Sequence, residues 1–121
     1  SRGAHSAVFV ERDAGAANVL RRNLAELGID SQSAEVRRLD ALAALQRARA
    51  HEETYDLLFI DPPYGNSHVW GPELSALLPP VLGPAARIVV ESDRRAPLQL
   101  QLEVARERRY GDTLIRIHRH Q

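Results

Sequence analysis

LLFIDPPYG, residues 57–65, is the stretch on which the reading of the whole chain turns. Leu57 to Ile60 have the composition of a strand buried in a parallel sheet, and they run directly into an acid, two prolines and an aromatic residue. Proline brings no N–H to a ladder. Pro62 also holds Asp61 in extended geometry, and Pro63 does the same to Pro62, so the chain should leave the sheet as a stiff ribbon. That ribbon projects the Asp61 carboxylate and the Pro62 carbonyl, two acceptors with little freedom to relax.

Two fixed acceptors suit an –NH₂ donor. The exocyclic amino group of a purine is a poor nucleophile because its lone pair is delocalised into the ring. Acceptors that bind its hydrogens favour a pyramidal nitrogen, and Tyr64 offers a flat face for the base. Such a base must leave any stacked helix to reach the pocket. An ordinary strand-ending turn uses the same residue types. Placement straight after an apolar strand and before an aromatic favours the catalytic reading, which fixes a reaction class but not the particular base.

Upstream, SAVFVE (6–11) reads as a short strand. In AGAANVLRRNLAELGID the apolar positions Ala17, Leu20, Leu24 and Leu27 recur at helical spacing, with Asp13 as N-cap and Gly28 as the stop. AEVRRLD (34–40) reads as a second strand and ALAALQRARA as a short helix. DLLFID (56–61) is the third strand, expected to be covered on both faces. VWGPELSALLPPVLG supplies a helix closed by Pro79, Pro80 and Gly83, and ARIVVES (86–92) a fourth strand. The tail LEVARERRYGDTLIRIHRHQ reads as two strands joined at Gly111-Asp112. Together these predict an α/β fold, a twisted and mostly parallel sheet with an antiparallel C-terminal hairpin, in one domain over residues 1–121. Ser1-Arg2-Gly3-Ala4 resembles the end of a helix capped by Gly3, which predicts that the natural chain begins further upstream.

Glu11, Asp40 and Asp61 each follow a predicted parallel strand. In open α/β sheets the ligand crevice lies outside the carboxyl ends of the strands, so the three acids should line one rim. Carboxylates accept hydrogen bonds, and their natural ligands are hydroxyls, amines and cations; a phosphate would be repelled. Any one of them could equally cap the helix that follows, Asp40 above all.

Composition removes several alternatives. All sixteen basic residues are arginine, which excludes a Walker-type phosphate loop, a pyridoxal Schiff base and a receiver-domain phosphorylation site, each of which needs lysine. Cysteine is absent, so disulfides and Cys-containing zinc sites fall too, and a cytoplasmic location is expected. Formal net charge is zero, so any nucleic-acid contact must be local. No apolar run approaches the ~18 residues of a membrane helix.

The series VFVERD, a helix, RRLDAL, LLFIDPPYG, ARIVVES and RRYGDTLIRIHR resembles the RsmD-like 16S ribosomal RNA guanine-N2 methyltransferases, within the class I, Rossmann-like fold of S-adenosylmethionine-dependent enzymes. The resemblance covers the whole chain. It implies that Glu11 binds the cofactor's ribose hydroxyls, that Asp40 with the backbone of Ala41 holds the adenine, and that Asp61, Pro62, Pro63 and Tyr64 form the catalytic loop around the guanine amino group. DPPY is shared with adenine-N6 enzymes on DNA or RNA, so it does not choose the base; the RRYGDT hairpin tilts toward the ribosomal family. The family also carries a strand and Gly-rich loop of the DxFAGSGxxGxEALSRGA kind, and this chain opens at the final SRGA. The missing strand would lie between those ending at Glu11 and Asp61. Two open sheet edges are then expected, with self-association as one outcome and weak cofactor binding or an inactive binding module as others.

Arg94 and Arg95 follow the fourth strand and are candidates for RNA phosphate contacts, a solvated turn being the alternative. Trp70 and His68 lie just past the DPPY loop; Trp70 is expected in the core, the alternative being that the two form part of a mobile lid. His118 and His120 share a strand face, but two histidines without a third ligand do not make a metal site, and no metal is expected. Arg106, Arg108 and Arg109 read as a solvated strand face or as an RNA stripe.

Overall fold

The computed structural model describes residues 6–30, 32–61 and 67–120, with residues 67–70 described through their backbone. The chain divides into two compact units, Ser1–Ala44 and Leu45–Gln121.

In the first unit, β1 (Ala7–Val10) leads into α1 (Ala14–Glu26) and then β2 (Ala34–Arg37). Strands β1 and β2 pair in parallel, from Ala7 opposite Ala34 to Val10 opposite Arg37. Helix α1 starts where Asp13 accepts the Ala16 N–H at 2.8 Å. It stops at Gly28, whose φ of 72° is one that only glycine adopts without strain. Ala17 is its fully buried contact, while Leu27 remains 73% exposed. Strand β2 is shorter than the predicted 34–40. The Leu39 N–H bonds back to the Arg37 carbonyl at 3.1 Å, which turns the chain out of the ladder before Asp40.

Helix α2 (Ala41–Ala50) crosses the boundary in sequence between the units, and β3 (Tyr55–Ile60), α3 (Ser67–Leu77), β4 (Leu82–Asp93), β5 (Glu103–Tyr110) and β6 (Thr113–Arg119) follow. The second unit's sheet has the order β3-β4-β6-β5, with β3 parallel to β4 and the remaining pairs antiparallel. Gly111, at φ 59°, makes the β5–β6 turn. The core is built from Leu74, Leu78, Val81, Ile88, Val90 and Leu98, with His118 among its fully buried side chains.

Gly83 does not close the preceding helix as predicted. Helix α3 ends at Leu77, a 3₁₀ turn spans Pro79–Val81, and Gly83 already lies in β4. A Cβ there would stand 2.8 Å from Asp56 Oδ1, the end of an exposed side chain that can swing aside, and 3.5 Å from the Tyr55 carbonyl oxygen. Strand β3 also departs from expectation. It has one neighbour among the described residues, β4, and instead of being covered on both faces it leaves Leu57 53% and Phe59 75% exposed. β1 likewise has one neighbour, β2, so each of the two strands presents one unpaired edge among the described residues.

Candidate functional site

Glu11 follows the last residue of β1, and its backbone N–H still reaches the Arg37 carbonyl at 3.0 Å. Its Oε1 accepts the Asp13 N–H at 3.0 Å, leaving Oε2 without a partner among the described residues. Asp40 lies three residues beyond the end of β2, at the same carboxyl end of this parallel pair. Its Oδ1 accepts the Ala43 N–H at 2.9 Å and its carbonyl takes the Ala44 N–H at 3.0 Å. Asp40 is therefore the N-cap of α2, with Oδ2 unused among the described residues; it is exposed, and Ala41 beside it is half-buried. Glu11 and Asp40 thus belong to one end of the first unit, as acceptor groups steadied by the start of the helix that follows each.

Asp61 stands in the second unit, at the carboxyl end of β3, directly after Ile60, which pairs with Val90 of β4. It is exposed, and no hydrogen bond or ion pair holds its carboxylate among the described residues. Pro62, Pro63 and Tyr64 lie outside the described residues, as do the side chains of His68 and Trp70.

Arg94 and Arg95 leave β4 at the end of the sheet where Asp61 leaves β3, because the two strands are parallel. Both have partners within the chain. The Arg94 N–H donates to the Asp112 carbonyl at 2.9 Å and its Nε lies 3.4 Å from Asp112 Oδ1. Arg95 donates from Nε and Nη2 to the two oxygens of Asp93, at 3.0 and 2.8 Å, and its backbone N–H adds a third bond at 2.9 Å. These bonds from Arg95 lower the Asp93 carboxyl to a pKa of about 2. The turn is a fixed one, and it ties the end of β4 to the β5–β6 hairpin.

Sequence reasoning singled out neither Asp93 nor the setting of His118. An Asp two residues before an Arg in Asp93-Arg94-Arg95 carried the signal for the first. The second had none, since His118 meets the Leu102 carbonyl across sixteen positions, with Nδ1 at 3.2 Å. Burial lowers its pKa, against the opposing Leu102 bond, and the Arg116 charge acts in the same direction as burial. Among the described residues no three His, Asp or Glu side chains are grouped to hold a metal ion, and no helix is long and apolar enough to cross a membrane.

The family model described as "Conserved hypothetical protein 95" matches residues 1–119. A Bacillus subtilis (strain 168) protein named "Putative rRNA methyltransferase YlbH" is 33% identical over 127 residues, an alignment covering 98% of this chain and 66% of that protein. The chain thus spans just under two thirds of that relative's length. The "Putative methyltransferase yhhF from Escherichia coli" is similar in structure at TM-score 0.80 and 27% identity, over 100% of this chain and 67% of its own. A Haemophilus influenzae structure, "putative methylase HI0767", gives TM-score 0.77 and 28% identity, over 98% and 74%.

Proposed function

Because the chain belongs to the family described as Conserved hypothetical protein 95 and has the Rossmann-like α/β fold of S-adenosylmethionine-dependent methyltransferases, we propose that it serves to move a methyl group from S-adenosylmethionine to the exocyclic N2 of a guanine in 16S ribosomal RNA. One observation carries the reading: Asp61, exposed and with its carboxylate unpaired among the described residues, follows β3 directly and precedes Pro62, Pro63 and Tyr64 in sequence. The name of the Bacillus relative supports the substrate class. The choice of guanine N2 rests on the resemblance of the RRYGDT hairpin.

The donor set fits the cofactor. Glu11 Oε2 and Asp40 Oδ2 are acceptors held in place by their partner oxygens' bonds to backbone amides. Ribose hydroxyls and an adenine amino group are the complementary donors, so Glu11 would take the ribose and Asp40 with the Ala41 backbone the adenine. Bound there, S-adenosylmethionine supplies an electrophilic methyl on a sulfonium centre. Asp61 and the Pro62 carbonyl accept the two hydrogens of the guanine amino group, Tyr64 stacks on the base, and Arg94 and Arg95 approach the neighbouring phosphates. As the nitrogen gains its new carbon the methyl–sulfur bond would break, its electron pair leaving on sulfur as a neutral thioether, and the nitrogen would shed one proton to the Asp61 carboxylate or to water. Positioning supplies the acceleration, and the chemistry requires no metal.

In this reading residues 1–121 are one methyltransferase domain acting on ribosomal RNA or the assembling small subunit in the cytoplasm. The unpaired edges of β1 and β3 are where this chain would meet a further strand, its own copy included, which sedimentation across a concentration series measures. The deciding experiment incubates the full-length protein and its Asp61→Ala variant with S-adenosylmethionine and unmodified small-subunit RNA, followed by mass spectrometry of the nucleosides. N2-methylguanosine from the wild type and none from the variant is the expected result. N6-methyladenosine would overturn the base assignment, and an equally active variant the catalytic loop.

A further inference from the structure

Strand β5 is an edge of the four-stranded sheet, and all of its residues, Glu103–Tyr110, are exposed. It carries two acids and three arginines, and β6 separates them. Glu107 Oε1 accepts from Arg116 Nε at 2.7 Å, and Glu103 Oε2 faces Arg119 Nε at 3.9 Å. Arg106, Arg108 and Arg109 have neither an ion pair nor a hydrogen bond among the described residues. The acids of the strand are thus neutralised across the ladder, and its cations are left to solvent.

The register sorts these cations further. Arg106, Arg108 and Tyr110 stand opposite Ile117, Ile115 and Thr113, so strand alternation puts the three on one face at a spacing of about 6.8 Å per step. Arg109 falls on the other face. Tyr110, 64% exposed, ends the row with an aromatic ring that no packing requires. Protection of an edge against pairing with another strand needs charge of either sign. It does not need the strand's own acids to be cancelled or an exposed aromatic beside the arginines.

The direction of β5 connects it to Asp61. Strand β5 runs parallel to β3, so Tyr110 lies at the end of the sheet where Asp61 emerges, three strand spacings or about 14 Å to the side. We infer that β5 is a docking strip for the RNA substrate, in which Arg106, Arg108 and Arg109 hold backbone phosphates, Tyr110 stacks on an unpaired base, and the strand is led toward Asp61. The inference rests on the reading that RNA is the substrate and adds the surface that grips it.

The test is fluorescence anisotropy of a labelled single-stranded oligoribonucleotide with the full-length protein, titrated over a series of KCl concentrations. The triple variant R106Q/R108Q/R109Q should lower the slope of log K against log[KCl] by about 2, since each phosphate contact on a single strand contributes about 0.7. R106K/R108K/R109K should keep the slope, and Tyr110→Ala should weaken binding about fivefold or more with the slope unchanged. R47Q/R49Q on α2 serves as the charge control and should match the wild type. A triple Gln variant with wild-type slope and affinity overturns the docking strip while leaving RNA as the substrate. A wild-type protein that does not bind the RNA overturns both.

Discussion

Taking the chain from pH 7.5 to pH 5.5 should destabilise the wild type more than a His118→Gln variant. His118 is 1% exposed, and its Nδ1 lies 3.2 Å from the Leu102 carbonyl. A carbonyl can only accept, so Nδ1 carries the proton and Nε2 is left as a bare, buried acceptor with no hydrogen-bond partner among the described residues. Burial holds the folded-state pKa below the ordinary 6.5, with Arg116 acting in the same direction and the Leu102 bond against it. Between 6.5 and that lower value the unfolded chain binds a proton that the folded chain refuses. Stability therefore rises with pH across this window and is lost on acidification.

If the folded imidazole stays neutral throughout, the loss over the two pH units reaches at most about 1.4 kcal/mol. Urea unfolding followed by circular dichroism, on both proteins at both pH values, isolates the effect. The double difference cancels the other histidines and the carboxylates, and glutamine keeps an N–H for Leu102. Equal losses in the two proteins, or a larger loss in the variant, would refute the assignment of a neutral buried imidazole.

Gly71→Ala should lower the melting temperature even though alanine is favoured over glycine in a helix by about 1 kcal/mol. The new Cβ would stand 2.5 Å from the Gln99 carbonyl oxygen, and the backbone shift it forces should cost about 1–3 kcal/mol; a raised melting point would refute the close approach. Asp40→Ser should keep α2 capped and the melting point near wild type while weakening S-adenosylmethionine binding in calorimetry. Asp40→Ala should lose about 1 kcal/mol of stability as well, and unchanged affinity in both would remove Asp40 from the cofactor site. The Asp93 carboxyl carbon, followed by NMR, should titrate near 2 rather than 3.8, and Arg95→Gln should move it back up. Because this pKa is depressed, the pair contributes above 3.8 and is lost as pH falls toward 2; a midpoint insensitive to Arg95→Gln would refute its cause.

Local signals were legible in the sequence because they are closed within a few residues. Asp13 and Gly28 bracket α1 as read, the ALAALQRARA run is α2 from Ala41–Ala50, and Gly111-Asp112 turns the hairpin. The errors arise where the deciding partner is distant in sequence. Gly83 follows Pro79 and Pro80 and so looks like a helix stop, yet β4 has already begun at Leu82, which pairs with Tyr55 of β3 across twenty-seven positions of chain. Strand β3 was read as covered because Leu57, Leu58, Phe59 and Ile60 are all apolar, but composition does not reveal that its sheet continues on one side alone among the described residues. Arg94 and Arg95 were legible as a charged rim, and the Arg95 pair with Asp93 is local, whereas the Arg94 pair with Asp112 required the hairpin to fold back beside the end of β4.

The acids of the first unit show why the capping and binding readings of a strand-end carboxylate need not compete. A carboxylate has two oxygens, and in Glu11 and Asp40 one of them is committed to a backbone N–H at the following helix start, at 3.0 and 2.9 Å. That bond satisfies a donor the helix would otherwise leave orphaned, and it also removes rotamer freedom from the side chain. The second oxygen is then aimed before any ligand arrives, so ordering the side chain is charged to folding rather than to binding. Asp61 has no such bond among the described residues. Under the proposed function Asp61 is thereby set apart from the other two acids, because ordering its carboxylate is then charged to substrate binding rather than to folding.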